Sequence, residues 1–217
     1  MSRPITASDT ATDCVVVSAI CFGWFILVSA QSVASDFPSH PFTDASLLDL
    51  MAREVAYAAG ALGYLHLRGY NLAQLVPAPT SVGTLCGLGL YVATVFIAWP
   101  VVVAVSSAFQ APQPIDEMVV HARLSIVPIV AMSVVNGIYE EVFLLGYLQR
   151  ALEKSGVVFA IGASLLVRVA YHLYQGPAGV AYVLVFGLVL GAYFAWRRQL
   201  WPAISAHIFA DIIGLAQ

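Results

Sequence analysis

Seven apolar runs of roughly membrane-spanning length follow one another through this chain, and they leave few folds open. They are Val15–Ala34, Leu47–Leu67, Val82–Val105, Leu124–Leu148, Val157–Leu173, Gly179–Trp196 and Leu200–Leu215. A bilayer core of about 30 Å takes roughly 20 helical residues. In lipid only helices and closed barrels satisfy every backbone polar group. The repeating alternation of about ten residues that a barrel requires is not found in the sequence. The chain is 60% hydrophobic and 10% charged, with a mean hydropathy of +0.86. These values predict an all-α, polytopic transmembrane helical bundle of about seven spans. At 217 residues, with connections too short to fold separately, residues 1–217 are expected to form a single membrane domain. The first run is long for the about 7–15-residue core of a signal peptide and is read as a span.

The second run is the least apolar, because it carries Asp49, Arg53 and Glu54. Asp49 and Arg53 are four apart and are expected to pair on one helix face. Were this run to lie along the interface, six spans would remain, and basic residues would scatter over both faces. With seven, Arg3, Arg68, Arg150, Lys154, Arg197 and Arg198 fall on one side. The other side holds Asp36, Asp44, Asp116 and Glu117, with Arg123 its one basic residue. Lys and Arg are enriched in cytoplasmic loops, so the N-terminus is expected in the cytoplasm. The segment from Ser106 to Glu117, with Pro112 and Pro114, is expected to be an irregular outward loop. Short loops and Ala/Val-rich spans suggest a bacterial plasma membrane.

A net charge of -3 and the lack of a basic run speak against a nucleic-acid partner. Cys14, Cys21 and Cys86 are odd in number and form no C-x-x-C pair, so they are read as small core residues rather than disulfides or metal ligands. Gly83 and Gly87, like Gly187 and Gly191, recur four apart and allow close helix contact. Trp99, Trp196, Trp201, Tyr147 and Tyr193 near span ends fit an interfacial aromatic belt.

Against this background two adjacent carboxylates, Glu140 and Glu141, stand inside the fourth run. Each costs about 2.5–3.5 kcal/mol at mid-bilayer by insertion scales, so the pair needs partners or a function. The last three runs add Arg168, His172, His207 and Asp211, with Arg168/His172 and His207/Asp211 each spaced i, i+4 on one face. From the cytoplasmic end, Glu140 lies about 15 Å deep, His207 about 11 Å, Asp211 about 17 Å and His172 about 24 Å. Helix tilt would let these groups converge on one cavity. Glu140 and Glu141 are about 100° apart on a helix, so one is expected to face the cavity and the other a neighbouring helix.

A carboxylate beside an imidazole can deprotonate water and pass the proton to a leaving group, while a second imidazole stabilises an oxyanion. That set suffices for peptide hydrolysis without a Ser or Cys nucleophile. Glu, Asp and His could also ligate zinc or iron, although no H-E-x-x-H is present. A proton or ion path is a third reading. Internal repeats that would favour a transporter are not found.

The three polar clusters carry a family resemblance. EEVFLLGYLQR, from Glu140 to Arg150, resembles the first motif of the CPBP intramembrane proteases, the CAAX prenyl endopeptidase and bacteriocin-processing (Abi) family. RVAYHLYQG, from Arg168 to Gly176, resembles the second, and LWPAISAHIFAD, from Leu200 to Asp211, the third. The motif-bearing core is 136–215. The resemblance implies a metal-independent glutamic endopeptidase without a cofactor, acting on a peptide or protein substrate at or within the membrane, in contact with lipid. It implies Glu140 as the general base with His172 beside it, His207 and Asp211 at the oxyanion, and Glu141 as the partner of a basic group. No residue pattern specifies an oligomeric state.

The sequence departs from the family at three places. Leu145 stands where E-E-x-x-x-R has Arg, Arg168 where Phe is common, and Asp211 where the prenyl-protease branch has Asn. Arg168 is therefore expected to supply to Glu141 the charge that Leu145 cannot. The missing Arg also keeps open a non-catalytic scaffold or bacteriocin-immunity protein on the same fold.

Overall fold

The computed structural model describes residues 7–38, 40–109 and 113–216; Arg3 and Pro112, invoked above, lie outside them. The helices are α1 (Ala7–Ala34), α2 (Asp44–Leu67), α3 (Ser81–Phe109), α4 (Pro114–Val120) and α5 (Ile126–Glu141). They continue as α6 (Arg150–Leu152), α7 (Val157–His172), α8 (Gly176–Arg197) and α9 (Leu200–Leu215). A π-helical stretch, Val142–Gln149, joins α5 to α6. No strand occurs among the described residues, where one isolated bridge pairs Thr43 with Arg123.

Each of the seven apolar runs is largely helical, and the last, Leu200–Leu215, is a shorter helix. Four helical stretches, Thr10–Ala34, Ser81–Phe109, Ile126–Ser155 and Val157–Arg197, are long and apolar enough to cross a membrane. The fourth combines α7 and α8, which are separated by a 3₁₀ turn and Gly176 at φ 78°. Large apolar side chains such as Val82, Phe96, Trp99, Val158 and Leu166 stand on the outer surface. In water such a surface would be unstable, whereas lipid is its natural solvent.

Polar contacts tie the helix ends together at two poles. At the first, Asp13 accepts from Tyr64 at 2.6 Å and Arg68 at 2.9 Å. There Arg150 also donates to the Gln74 carbonyl at 2.7 Å, and Arg198 pairs with Glu153. At the second, the Ser125 amide and hydroxyl donate to Asp44 at 2.8 and 2.6 Å. The Tyr174 amide donates to Ser29 at 2.9 Å, and the Ala178 amide to Gln113 at 3.0 Å. The helices thus alternate in direction, with Arg68, Arg150 and Arg198 at one pole and Asp44 at the other.

Three expectations change. The described residues of the Ser106–Glu117 segment are largely helical: α3 runs to Phe109, and Pro114, pre-set for a first helical turn, opens α4. Tyr147 is buried in the core beside Tyr70, 5.5 Å between ring centroids, instead of standing in an interfacial belt. Cys14 and Cys21 are buried core residues, but Cys86 is only half-buried.

The glycine pairs mark the closest helix contacts. A methyl group at Gly87 would lie 2.6 Å from the Pro202 carbonyl oxygen and 2.9 Å from the Ala206 nitrogen, both backbone atoms of α9. Gly89, two residues on, has nothing within 4 Å. Gly87→Ala is therefore expected to destabilise the bundle by about 1–3 kcal/mol through overpacking. Gly89→Ala should leave stability unchanged or raise it. Thermal unfolding of the two variants in detergent would measure the contrast, and equal stability would contradict the packing assigned to α3 and α9.

Candidate active site

Glu140 and Glu141 end α5, which packs against α9 and α2, and the π-helical stretch that follows them packs against α7. Both glutamates are buried, Glu141 completely. Arg168, on the inner face of α7 and 1% exposed, lies between them. Its guanidinium donates to Glu140 Oε2 at 3.2 Å and to Glu141 Oε1 at 2.7 Å. Room for this long side chain comes from Gly187 on α8, where an added methyl would sit 3.0 Å from Arg168 Cδ. The Phe186 ring closes over the guanidinium, 5.7 Å from its centroid.

His207 reaches the same pair from α9. Its Nδ1–H donates to Glu141 Oε1 at 2.6 Å, which fixes the ring. Nε2 then faces Asn136 Nδ2 at 3.4 Å, Asp211 Oδ1 at 3.6 Å and Glu140 Oε2 at 3.8 Å. The two carboxylates, placed on different faces by the helical repeat, thus belong to one cluster. Arg168 and His207 each present two nitrogens and bridge them.

Two residues to which the sequence assigned no role complete the cluster. The Tyr171 hydroxyl donates to Glu140 Oε2, and Phe22 of α1 stacks on its ring at 5.0 Å. Asn136, one helical turn before Glu140, donates from Nδ2 to Asp211 Oδ2 at 2.8 Å. The i, i+4 spacing of Asn136 and Glu140 was a signal that could have found it. Every hydrogen bond to Glu140 falls on Oε2, and among the described residues Oε1 has no hydrogen-bond partner. His172 donates from Nδ1 to the Arg168 carbonyl at 2.9 Å, which leaves Nε2 as its free ring nitrogen.

These groups line one cavity of about 780 Å³, walled by Asn136, Glu140, Tyr171, His172, His207 and Asp211. It extends past Tyr174 to Phe42, Asp116, Met118 and Leu215, at the pole that holds Asp44. His172 shares this cavity despite its greater depth along α7, because the cavity itself runs toward that pole. The π-helical stretch beginning directly after Glu141 is a feature often found at functional sites. It ends with Gln149 donating to the Gly191 carbonyl at 2.9 Å, which anchors this segment to α8.

Glu140, Glu141 and His207 also bring ligand atoms within 4.8 Å of one another, as a metal ion would need. Arg168 already donates to both carboxylates there, so a positive group occupies the place a cation would take.

Residues 122–213 match the family model described as Type II CAAX prenyl endopeptidase Rce1-like. Over this span the chain is similar to the CPBP family. Neither curated proteins nor solved structures give a match. At family level the match points to an intramembrane endopeptidase of the CAAX protease type with a peptide substrate, and to an integral membrane protein. The matched span contains Asn136, Glu140, Glu141, Arg168, Tyr171, His172, His207 and Asp211.

Proposed function

We propose that this protein is a metal-independent glutamic endopeptidase that hydrolyses a peptide bond within the membrane. The observation that carries the reading is the state of Glu140: one oxygen held by Arg168 and Tyr171, the other left without a partner in a polar cavity. Oε1 takes a proton from water, and the resulting hydroxide attacks the peptide carbonyl carbon. His172 Nε2 helps to orient that water. With carboxylate oxygens facing both ring nitrogens, His207 serves as an imidazolium whose Nε2–H stabilises the oxyanion. The protonated Glu140 then delivers its proton to the leaving amine as the C–N bond breaks.

An ionised Asp211 cannot donate to an oxyanion. The donor in this reading is the Asn136 amide, and Asp211 accepts from it and holds it in place. Glu141 and Arg168 act as the ion pair that fixes the cluster. Membrane peptides from cells carrying wild-type or Glu140→Gln protein, compared by mass spectrometry, test the reading. Products present only with the wild type support it. A cellular phenotype that survives Glu140→Gln favours the scaffold or immunity reading instead.

The basic pole marks the cytoplasmic side, in a bacterial plasma membrane, so the cavity mouth faces outward. Single cysteines test this after replacement of Cys86. A membrane-impermeant maleimide is expected to label Asp116→Cys in intact spheroplasts and Lys154→Cys only after lysis. The reverse pattern would place the mouth in the cytoplasm.

A further inference from the structure

Glu54 is a buried cavity carboxyl that this mechanism does not use. It comes from α2, outside the family match, and is 2% exposed. It lines the same cavity as Glu140 and Asp211. Its Oε2 is fully buried and has no hydrogen-bond partner. Neither the Glu140 nor the Asp211 carboxyl can supply a counter-charge to it. The cationic side chains lining the cavity are engaged elsewhere. Arg53 is bidentate to Asp49 at 2.7 and 3.2 Å, Arg168 is shared by Glu140 and Glu141, and His207 is bonded to Glu141. A buried carboxyl without a partner is costly. An occupant that brings a positive group would offset that cost. The rings of Tyr139 and Tyr174 on the same wall suit such a group as well.

We propose that Glu54 forms a cation-recognising subsite in this cavity, selecting peptides that present a primary ammonium or guanidinium group. The proposal rests on the endopeptidase reading only in taking the occupant to be a peptide. Arg53, the residue before Glu54, also lines this cavity and is paired with Asp49, one helical turn before it.

Binding of three hydrophobic hexapeptides tests the proposal on the full chain in lipid nanodiscs. Glu140→Gln is present throughout so that no bound peptide is turned over. One peptide is acetylated and carries a lysine. The second is its acetylated norleucine twin, and the third the norleucine peptide with a free amino terminus. A charge-assisted hydrogen bond at Glu54 is expected to favour at least one cationic peptide over the neutral twin by about tenfold to a hundredfold. Which one is favoured distinguishes a side-chain ammonium from a terminal one. Adding Glu54→Gln should collapse the difference to about threefold or less. Equal binding of all three peptides with Glu54 present would overturn the proposal, and this arm stands even if the Gln variant does not fold. A preference that survives Glu54→Gln would overturn it equally. Because binding is read without turnover, a chain that cleaves nothing can still meet or fail this test.

Discussion

Peptide cleavage is expected to fall by about 10²–10⁴-fold when Glu140 is replaced by Gln, the range a positioned general base contributes. The substitution is close to isosteric, and the Gln carbonyl oxygen can still accept from Tyr171 and Arg168, which now bond to Glu140 Oε2. What the amide cannot do is take a proton from water. Stability should change less than rate, because Arg168 keeps its shorter contact, the 2.7 Å bond to Glu141. The check is cleavage by purified protein alongside a thermal unfolding curve. Loss of cleavage in a folded variant assigns the base to Glu140. Full cleavage in a folded variant would end the glutamic mechanism. Loss of cleavage with loss of fold would show Glu140 to be part of the ion-pair framework and would withdraw its separate assignment to chemistry.

The helices were legible because bilayer thickness imposes a length on each apolar run, and all seven runs are largely helical. The pairing of Arg168 with Glu141 was legible for a different reason. A required counter-charge was missing at Leu145, and one new basic residue appeared on another apolar helix. Lateral position was not legible. Depth along α7 set His172 apart from the rest, yet the cavity is long enough to include it. Nor does any apolar period mark the π-helical turn after Glu141, since the residues from Val142 to Gln149 are buried all round. Glu54 shows the limit most clearly. Its charge made α2 look like the weakest span, because the sequence shows the cost of a carboxyl in an apolar helix but not the cavity beside it.

Removing Arg168 is expected to damage the protein more than any other single truncation in the site. Arg168→Ala leaves Glu140 and Glu141 buried without their shared cation, and Glu141 Oε2 has no hydrogen-bond partner even in the intact protein. Breaking a buried ion pair by deleting one partner costs about 3–5 kcal/mol. Here two carboxylates lose the same partner, and the packing of the guanidinium on Phe186 goes with it. A domain of ordinary stability, about 5–15 kcal/mol, would lose a large part of its margin. Thermal unfolding and yield of folded protein from membranes would both register the loss. Arg168→Lys should recover only part of it, because one ammonium cannot reproduce a planar fork that reaches two carboxylates. The decisive comparison adds Leu145→Arg to Arg168→Ala, returning a cation one turn beyond Glu141 at the position where the family pattern places it. Leu145 is itself only 1% exposed, so the new side chain must displace core packing and the rescue is expected to be partial. A gain in stability over Arg168→Ala alone would show that the two sites supply the same charge to Glu141. Wild-type stability in Arg168→Ala would instead mean that His207, bonded to Glu141 at 2.6 Å, suffices as its counter-charge.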